Sequence, residues 1–364
     1  MLLRDLITAI EEAVPLQFQE SYDNSGLQVG DYSKEIKSAL LTLDVTEEVV
    51  EEAKNKGCDA IISHHPVIFK PLKRLTGRTA SERIVAKAIK YGIAIYSAHT
   101  NLDVMNFGVS AKMAEKMELT NCKVLVPLKG QLRKLVTFIP QSYFDQVSSA
   151  VFEAGAGFIG KYDSTGFSCD GVGTFRGNAD SNPFVGEPMK LHHEKERRFE
   201  TVFYKHQERS VLKALLSNHP YEEVAYDIYP IENDNIDIGF GCVGDLKQPM
   251  PTDEFLKFLE NVFDAKGIRF SKPPKNTVSR VAMCGGSGSE FLSDAIASSS
   301  DAYVTADVKY HTFFDAEKKI LLADIGHYES EKVAIDILYD LIIKKFPKFA
   351  LHFSGVYSNP INYL

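Results

Sequence analysis

Four short stretches of the chain set imidazoles and carboxylates at the ends of apolar runs. In Ala60-Ile-Ile-Ser-His-His-Pro66 an apolar run ends on His64 and His65. His99-Thr-Asn-Leu-Asp103 and His327-Tyr-Glu-Ser-Glu331 each follow another such run, and each carries a carboxylate four residues beyond its histidine. Asp307, Lys309 and His311 follow a fourth run. Imidazole combined with carboxylate suits zinc, iron(II) or manganese, whereas oxygen-only sets suit magnesium or calcium. Carboxylates can also bridge two cations and neutralise charge that histidine cannot. Neighbouring side chains on a strand point to opposite faces. His64 and His65 therefore suit two ions, or one ion and a supporting role, better than one tight chelate.

Each stretch also has a plainer reading. His64 and His65 read as core histidines bonded to backbone, His327 and Glu331 as a surface helix pair, and Asp307 to His311 as a solvated loop. Convergence of the four clusters favours the metal reading. Asp307, Lys309 and His311 are then candidate substrate contacts or proton carriers. In the polar turn Ser21-Tyr-Asp-Asn-Ser-Gly26, Asp23 and Asn24 either orient metal ligands or are simple turn residues. Gly285-Gly-Ser-Gly-Ser-Glu290 matches neither the lysine-bearing phosphate loop nor a dinucleotide fingerprint, so it reads as a tight strand-to-helix turn. His192-His193 run into Glu-Lys-Glu-Arg-Arg, a density of charge that reads as a solvated face.

These clusters need strands to carry them. Residues 2–13 read as a helix and 37–44 as a strand. Thr46 caps a helix running through Lys56, with Glu47 and Glu48 well placed for its dipole. Asp59 to Ser63 is a near-continuously apolar strand, as expected when both sheet faces are covered. A helix over 80–91 and a strand from Gly92 to Ser97 complete a βαβ rhythm. The texture changes near Pro127, and residues 128–232 read as an inserted α+β domain of a size that folds alone. From residue 233 the α/β texture returns, with strands at 278–284 and 301–306. The two α/β parts, 1–127 and 233–364, read as distant copies. Asp44 and Gly286 each end a strand, Asp59-Ala60 and Asp301-Ala302 open the next at equal spacing, and the string ending at His99 lines up with the string ending at His327. Two such lobes would pool their strand-end residues in one cleft, where open α/β sheets bind ligands.

The 364 residues exceed one typical core. A net charge of −8, with 49 acidic against 41 basic residues, gives no reason to expect nucleic acid or an anionic membrane as main partner. The first residues form an amphipathic pattern broken by Arg4, Asp5, Glu11 and Glu12, unlike a signal peptide. No apolar run approaches the ~20 residues of a membrane span. Five scattered cysteines without a CxxC pair are read as reduced thiols in a cytoplasm.

Taken together, Ser21-Tyr-Asp-Asn-Ser-Gly-Leu-Gln-Val-Gly-Asp31, Ile62-Ser-His-His-Pro66, His99-Thr-Asn-Leu-Asp103, Tyr310-His311 and Gly326-His-Tyr-Glu-Ser-Glu331 resemble the dinuclear metal-centre family. Its members are labelled GTP cyclohydrolase I type 2 homologues, or NGG-interacting-factor-like proteins. The resemblance implies a metal set of His64, His65, Asp103, His327 and Glu331 holding two divalent ions, zinc first and iron or manganese as alternatives. His99 matches the motif as a weaker ligand candidate. The resemblance also implies a toroidal homohexamer with its metal sites facing an internal cavity. It further implies a ferredoxin-like insert similar to PII and CutA proteins, to which Asn218-His-Pro-Tyr-Glu-Glu-Val-Ala-Tyr-Asp-Ile-Tyr229 would belong. Tyr22, Ser25 and Ala306 depart from the usual family residues without removing a ligand. The implied activity is metal-dependent hydrolysis of a nucleotide or phosphate-containing small molecule, with His311 or His99 carrying a proton. The alternative is a non-catalytic metal- or ligand-binding assembly with a sensory insert. Five ligands for two ions leave positions open, which favours chemistry.

Overall fold

Alternate residues of each central strand serve two different cores, so the strands are apolar between polar ends such as Ser38, Thr42, Ser63 and Ser97. Leu40, Ile61 and Ile95 face one cluster, while Ala39, Leu41, Ala60, Ile62, Ala94 and Tyr96 face another. The computed structural model describes residues 1–364, the side chain of residue 236 apart. The chain divides into two compact units, one of Met1–Pro127 with Ile236–Leu364 and one of Leu128–Asn235.

The first unit holds two sheets. One is ordered Gly26–Val29, Ala94–Ser97, Ala60–Ser63, Ser38–Thr42, Ala350–Phe353, parallel except for its first strand. The other is ordered Arg269–Phe270, Leu321–Asp324, Ala302–Thr305, Thr277–Met283, Asn235–Pro251, Thr120–Leu128. Its middle three strands are parallel, and Arg269–Phe270 is antiparallel to them. Both sheets pack their inner faces into one core with the helices Leu3–Ala13, Val109–Lys116, Thr252–Phe263 and Ala334–Lys345. Helix Glu47–Asn55 is capped by Thr46, whose side chain accepts from the Val49 amide, and Ala80–Tyr91 is capped by Thr79 and ends at left-handed Gly92. Among the described residues no helix is long and apolar enough to cross a membrane.

The two sheets repeat one pattern in detail. Asp59 Oδ2 accepts the amide hydrogens of Lys37 and Ser38, and Asp301 Oδ2 accepts those of Ser279 and Arg280. The amides of Ala94 and Leu321 bond to the carbonyls of Asp59 and Asp301 respectively. Ladder register carries this match forward, pairing Ser63 with Ser97 and Thr305 with Asp324. By that count Gly286 stands where Asp44 does, Asp307 where His65 does, and Gly326 where His99 does. The sequence strings align His99 with His327, one residue too far. Each lobe starts its next helix right after that position, at Thr100 and at His327.

Asp301 closes the start of its lobe. Burial opposes its charge, but the Lys275 ammonium and two backbone amides hold its carboxyl below the usual range. A group with a lowered native pKa adds stability above its unfolded pKa and loses it as pH falls through the native value. Asp301→Asn is therefore expected to cost roughly 1–3 kcal/mol at pH 7. The gap to wild type should narrow below about pH 4. Urea melts at both pH values check this, and equal stability at pH 7 would refute it.

In the second unit the order strand–helix–strand–strand–helix–strand runs Leu132–Pro140, Phe144–Glu153, Gly166–Phe175, His192–Tyr204, Glu208–Asn218, Tyr226–Pro230. The sheet order is Gly166–Phe175, His192–Tyr204, Leu132–Pro140, Tyr226–Pro230, antiparallel throughout. This is the split βαβ, ferredoxin-like arrangement. Both helices pack on one face through Leu135, Ile139, Phe199, Phe203, Val147, Val151, Val211 and Leu215.

Candidate metal centre

Two buried hydroxyls fix the chain where the first histidines leave the sheet. Ser63 Oγ donates to the His65 carbonyl at 2.9 Å and contacts Ser97 Oγ at 2.8 Å, while Ser97 Oγ reaches the same carbonyl at 3.2 Å. The amides of His64 and His65 continue the ladder to Thr42 and Leu43. The backbone at both imidazoles is thus set by the sheet.

Four histidines share one device, each tied through Nδ1 to an acceptor. His64 Nδ1 bonds the Ala98 carbonyl at 2.8 Å, and His65 Nδ1 bonds Asp44 Oδ1 at 2.7 Å. His99 Nδ1 bonds Asp23 Oδ1 at 2.7 Å, and His327 Nδ1 bonds Asp307 Oδ2 at 2.8 Å. Such an acceptor behind an imidazole fixes its tautomer and aims Nε2 as a ligand. Asp44 is itself held by the Ser358 hydroxyl at 2.8 Å, and Asp23 by Ser25 Oγ at 3.0 Å and the Thr100 amide at 3.1 Å.

The Nε2 atoms gather around one carboxylate. Glu331 Oε2 lies 2.8 Å from both His65 Nε2 and His327 Nε2, and 3.9 Å from His64 Nε2. The His65 and His327 Nε2 atoms are 3.3 Å apart. That is about the edge of a tetrahedron with ligand bonds of about 2.0–2.1 Å, as in zinc sites. His64 Nε2 lies 3.6 Å from Asp103 Oδ1, and both atoms are buried without a hydrogen-bond partner. A carbonyl only accepts, so His64 Nδ1 carries the proton and Nε2 presents a lone pair to the carboxylate oxygen. Two buried acceptors facing each other are costly unless a cation lies between them. The donor set thus fits a divalent metal.

Without a metal, protons bind at part of this set, and an arriving cation would displace them. Burial pushes His64 down to about 3, despite the opposing pull of Glu331, leaving a neutral imidazole. Burial also disfavours charge on His65, but Asp44 and Glu331 overcome it and raise His65 to about 9. His327 behaves likewise, raised to about 11 against its burial by Asp307 and Glu331. Burial and the neighbouring Glu331 charge push Asp103 well up, whereas bonds from His327 and His65 outweigh burial at Glu331 and pull it well down.

His64, His65, Asp103, His327 and Glu331 are thus brought together, and Glu331 is buried, which rules out an exposed helix pair. Two three-residue sets share Glu331: His65 with His327, and His64 with Asp103. His99 brings a ring nitrogen within 4.8 Å of those of His64 and His65. The His311 side chain is exposed against Tyr310 and Phe314 and makes no hydrogen bond or ion pair among the described residues, its backbone carbonyl alone accepting from the Phe314 amide. Asp307, read from sequence as a substrate contact or proton carrier, instead supports His327. Asp44 was not singled out from sequence; its position at a strand end, matching Gly286 in the other lobe, is the only signal that marks it.

The Duf34/NIF3 (NGG1p interacting factor 3) family model matches residues 1–360. The chain is 41% identical over 332 residues to a Bacillus subtilis protein called GTP cyclohydrolase 1 type 2 homolog, across 91% of this chain and 89% of that protein. It is 31% identical over 363 residues to a Staphylococcus epidermidis protein of the same name, across 100% of this chain and 98% of that one. The crystal structure of a Bacillus cereus protein related to NIF3 is similar at a TM-score of 0.87 and 36% identity, covering 100% of this chain and 99% of its own.

Proposed function

The chain belongs to the Duf34/NIF3 family, and on that premise we propose that it holds two divalent metal ions and hydrolyses a nucleotide or another phosphate-containing small molecule. The observation that carries the reading is the buried pair of His64 Nε2 and Asp103 Oδ1, facing each other at 3.6 Å without protein partners. The two ligand sets sharing Glu331 support a count of two ions. Imidazole with carboxylate favours zinc, with iron or manganese next. Such an ion pair supplies an acidified water and a clamp for phosphoryl or carbonyl oxygens.

The chain's own residues divide the remaining work. His64, His65, Asp103, His327 and Glu331 hold the ions. Asp44 and Asp307 fix the imidazoles of His65 and His327. His99, held by Asp23, stands in ring contact with His64 and His65 at centroid distances of 5.3 and 5.4 Å, and is the better placed proton carrier. His311 remains a carrier only for a substrate that reaches over the exposed segment after Thr305. The relatives' name makes GTP the first substrate to try. A homohexamer and a PII/CutA-like role for the insert belong to the same proposal, the latter supported by the insert's strand and helix order.

Metal analysis of the purified chain, followed by a nucleotide and phosphoester hydrolysis screen before and after chelation, tests the reading. Hydrolysis unchanged after complete metal removal would overturn the hydrolase. Full metal retention in both His65→Ala and Glu331→Ala would overturn the site. Asp44→Ala and Asp307→Ala are expected to fold and to weaken metal binding about 10–100-fold, because each frees one imidazole to rotate. Competition with a chromogenic chelator measures that loss.

A further inference from the structure

The insert's sheet carries its helices on one face, and the other face holds a cavity of roughly 900 Å³. That volume is within the range of small-molecule sites. Strand alternation turns Glu196 and Phe138 to this helix-free side. The charged run around Glu196 reads from sequence as solvated, yet Glu196 is only 7% exposed. Its Oε1 accepts the Tyr221 hydroxyl at 2.7 Å. Its Oε2 receives no hydrogen bond, and no cation pairs with the carboxylate, among the described residues. A Cβ on Gly173 would overlap Oε2, so the glycine keeps space open beside the uncommitted oxygen. Phe175 and Phe184 flank Tyr221 at centroid distances of 6.0 and 6.3 Å, giving the cavity aromatic walls. Arg198 also lines it but is committed to Glu200 at 2.8 Å.

A buried carboxylate with one free oxygen, set among aromatic rings, matches a particular ligand chemistry. Carboxylates take planar N–H donors in charge-assisted bonds, and aromatic faces attract cations. We propose that this cavity binds a small planar organic cation, an amidinium or a protonated aminoheterocycle. Its charged head bonds Glu196 Oε2, and its ring lies among Tyr221, Phe175 and Phe184. The site lies wholly in the insert and does not depend on the metal reading.

Benzamidine is a direct probe, titrated calorimetrically into the full chain, with neutral benzamide as its near-isostere. Wild type is expected to bind benzamidine saturably and benzamide at least about tenfold more weakly, since only the former supplies the charge. Glu196→Gln should weaken benzamidine by a similar factor while leaving metal content unchanged. Gly173→Ala, which fills the space beside Oε2, should do the same and decides the matter if the Gln variant fails to fold. Equal binding of benzamide, undiminished binding in both variants, or no saturable benzamidine binding to wild type would each overturn the proposal.

Discussion

Glu331→Gln is expected to empty the centre of both ions at once. Glu331 is the one residue shared by the two ligand sets, its Oε2 lying 2.8 Å from His65 Nε2 and His327 Nε2 and 3.9 Å from His64 Nε2. Gln keeps the size of the side chain but removes the charge that faces three imidazoles. Loss of a supporting residue lowers metal affinity about 10–100-fold, and loss of a bridging ligand should exceed that for both positions. Asp103→Asn and His327→Ala each touch one set, so each should retain about half of the wild-type metal. The metal-free chain should lose stability as well. Burial works against the Glu331 charge, yet bonds from His327 and His65 hold its carboxyl well down. Removing one partner of a buried ion pair leaves the other charges uncompensated, so the metal-free Gln variant should melt below metal-free wild type. Metal content by mass spectrometry and paired thermal melts test both halves. If Glu331→Gln kept half its metal, like the one-set variants, Glu331 would not bridge.

How far the sequence reaches is visible at the paired histidines. Adjacent side chains on a strand diverge, which is why His64 and His65 suit two positions; in the structure His64 groups with Asp103 and His65 with His327, although both also group with His99. Strand ends, capped helices and the repeated lobes are local or periodic features, so Thr46, Asp59 and Asp301 are legible in order along the chain. The acceptors behind the imidazoles are less so. Asp23 sits in a turn whose polar residues have ordinary turn uses, and Asp44 and Asp307 meet their histidines only once separate strands lie side by side. Sequence distance hides such contacts, 21 residues for Asp44 and 20 for Asp307. The buried Glu196 is the opposite failure, since charge density along a strand says nothing about which face a loop will cover.

Gly286 shows why a residue without a side chain belongs to the centre. It reads from sequence as part of a tight turn, and it does adopt the left-handed region, with φ of +61°. The turn itself does not explain the glycine. A Cβ there would overlap Glu331 Oε1 and approach His327 Cε1 to 3.5 Å. The loop cannot retreat easily, because the Gly286 amide donates to Ser330 Oγ at 3.0 Å and its carbonyl accepts from the Ala306 amide at 3.0 Å. In Gly286→Ala the carboxylate must therefore move, and both ligand sets move with it. Gly57 supplies the control, with φ of +69° and nothing within 4 Å of an added Cβ. Both alanine variants should lose about 1–2 kcal/mol through left-handed backbone strain. Only Gly286→Ala should also lose its metal, to the level of Glu331→Gln. Equal metal content in the two variants would mean that Glu331 has room to spare and that the turn alone demands the glycine.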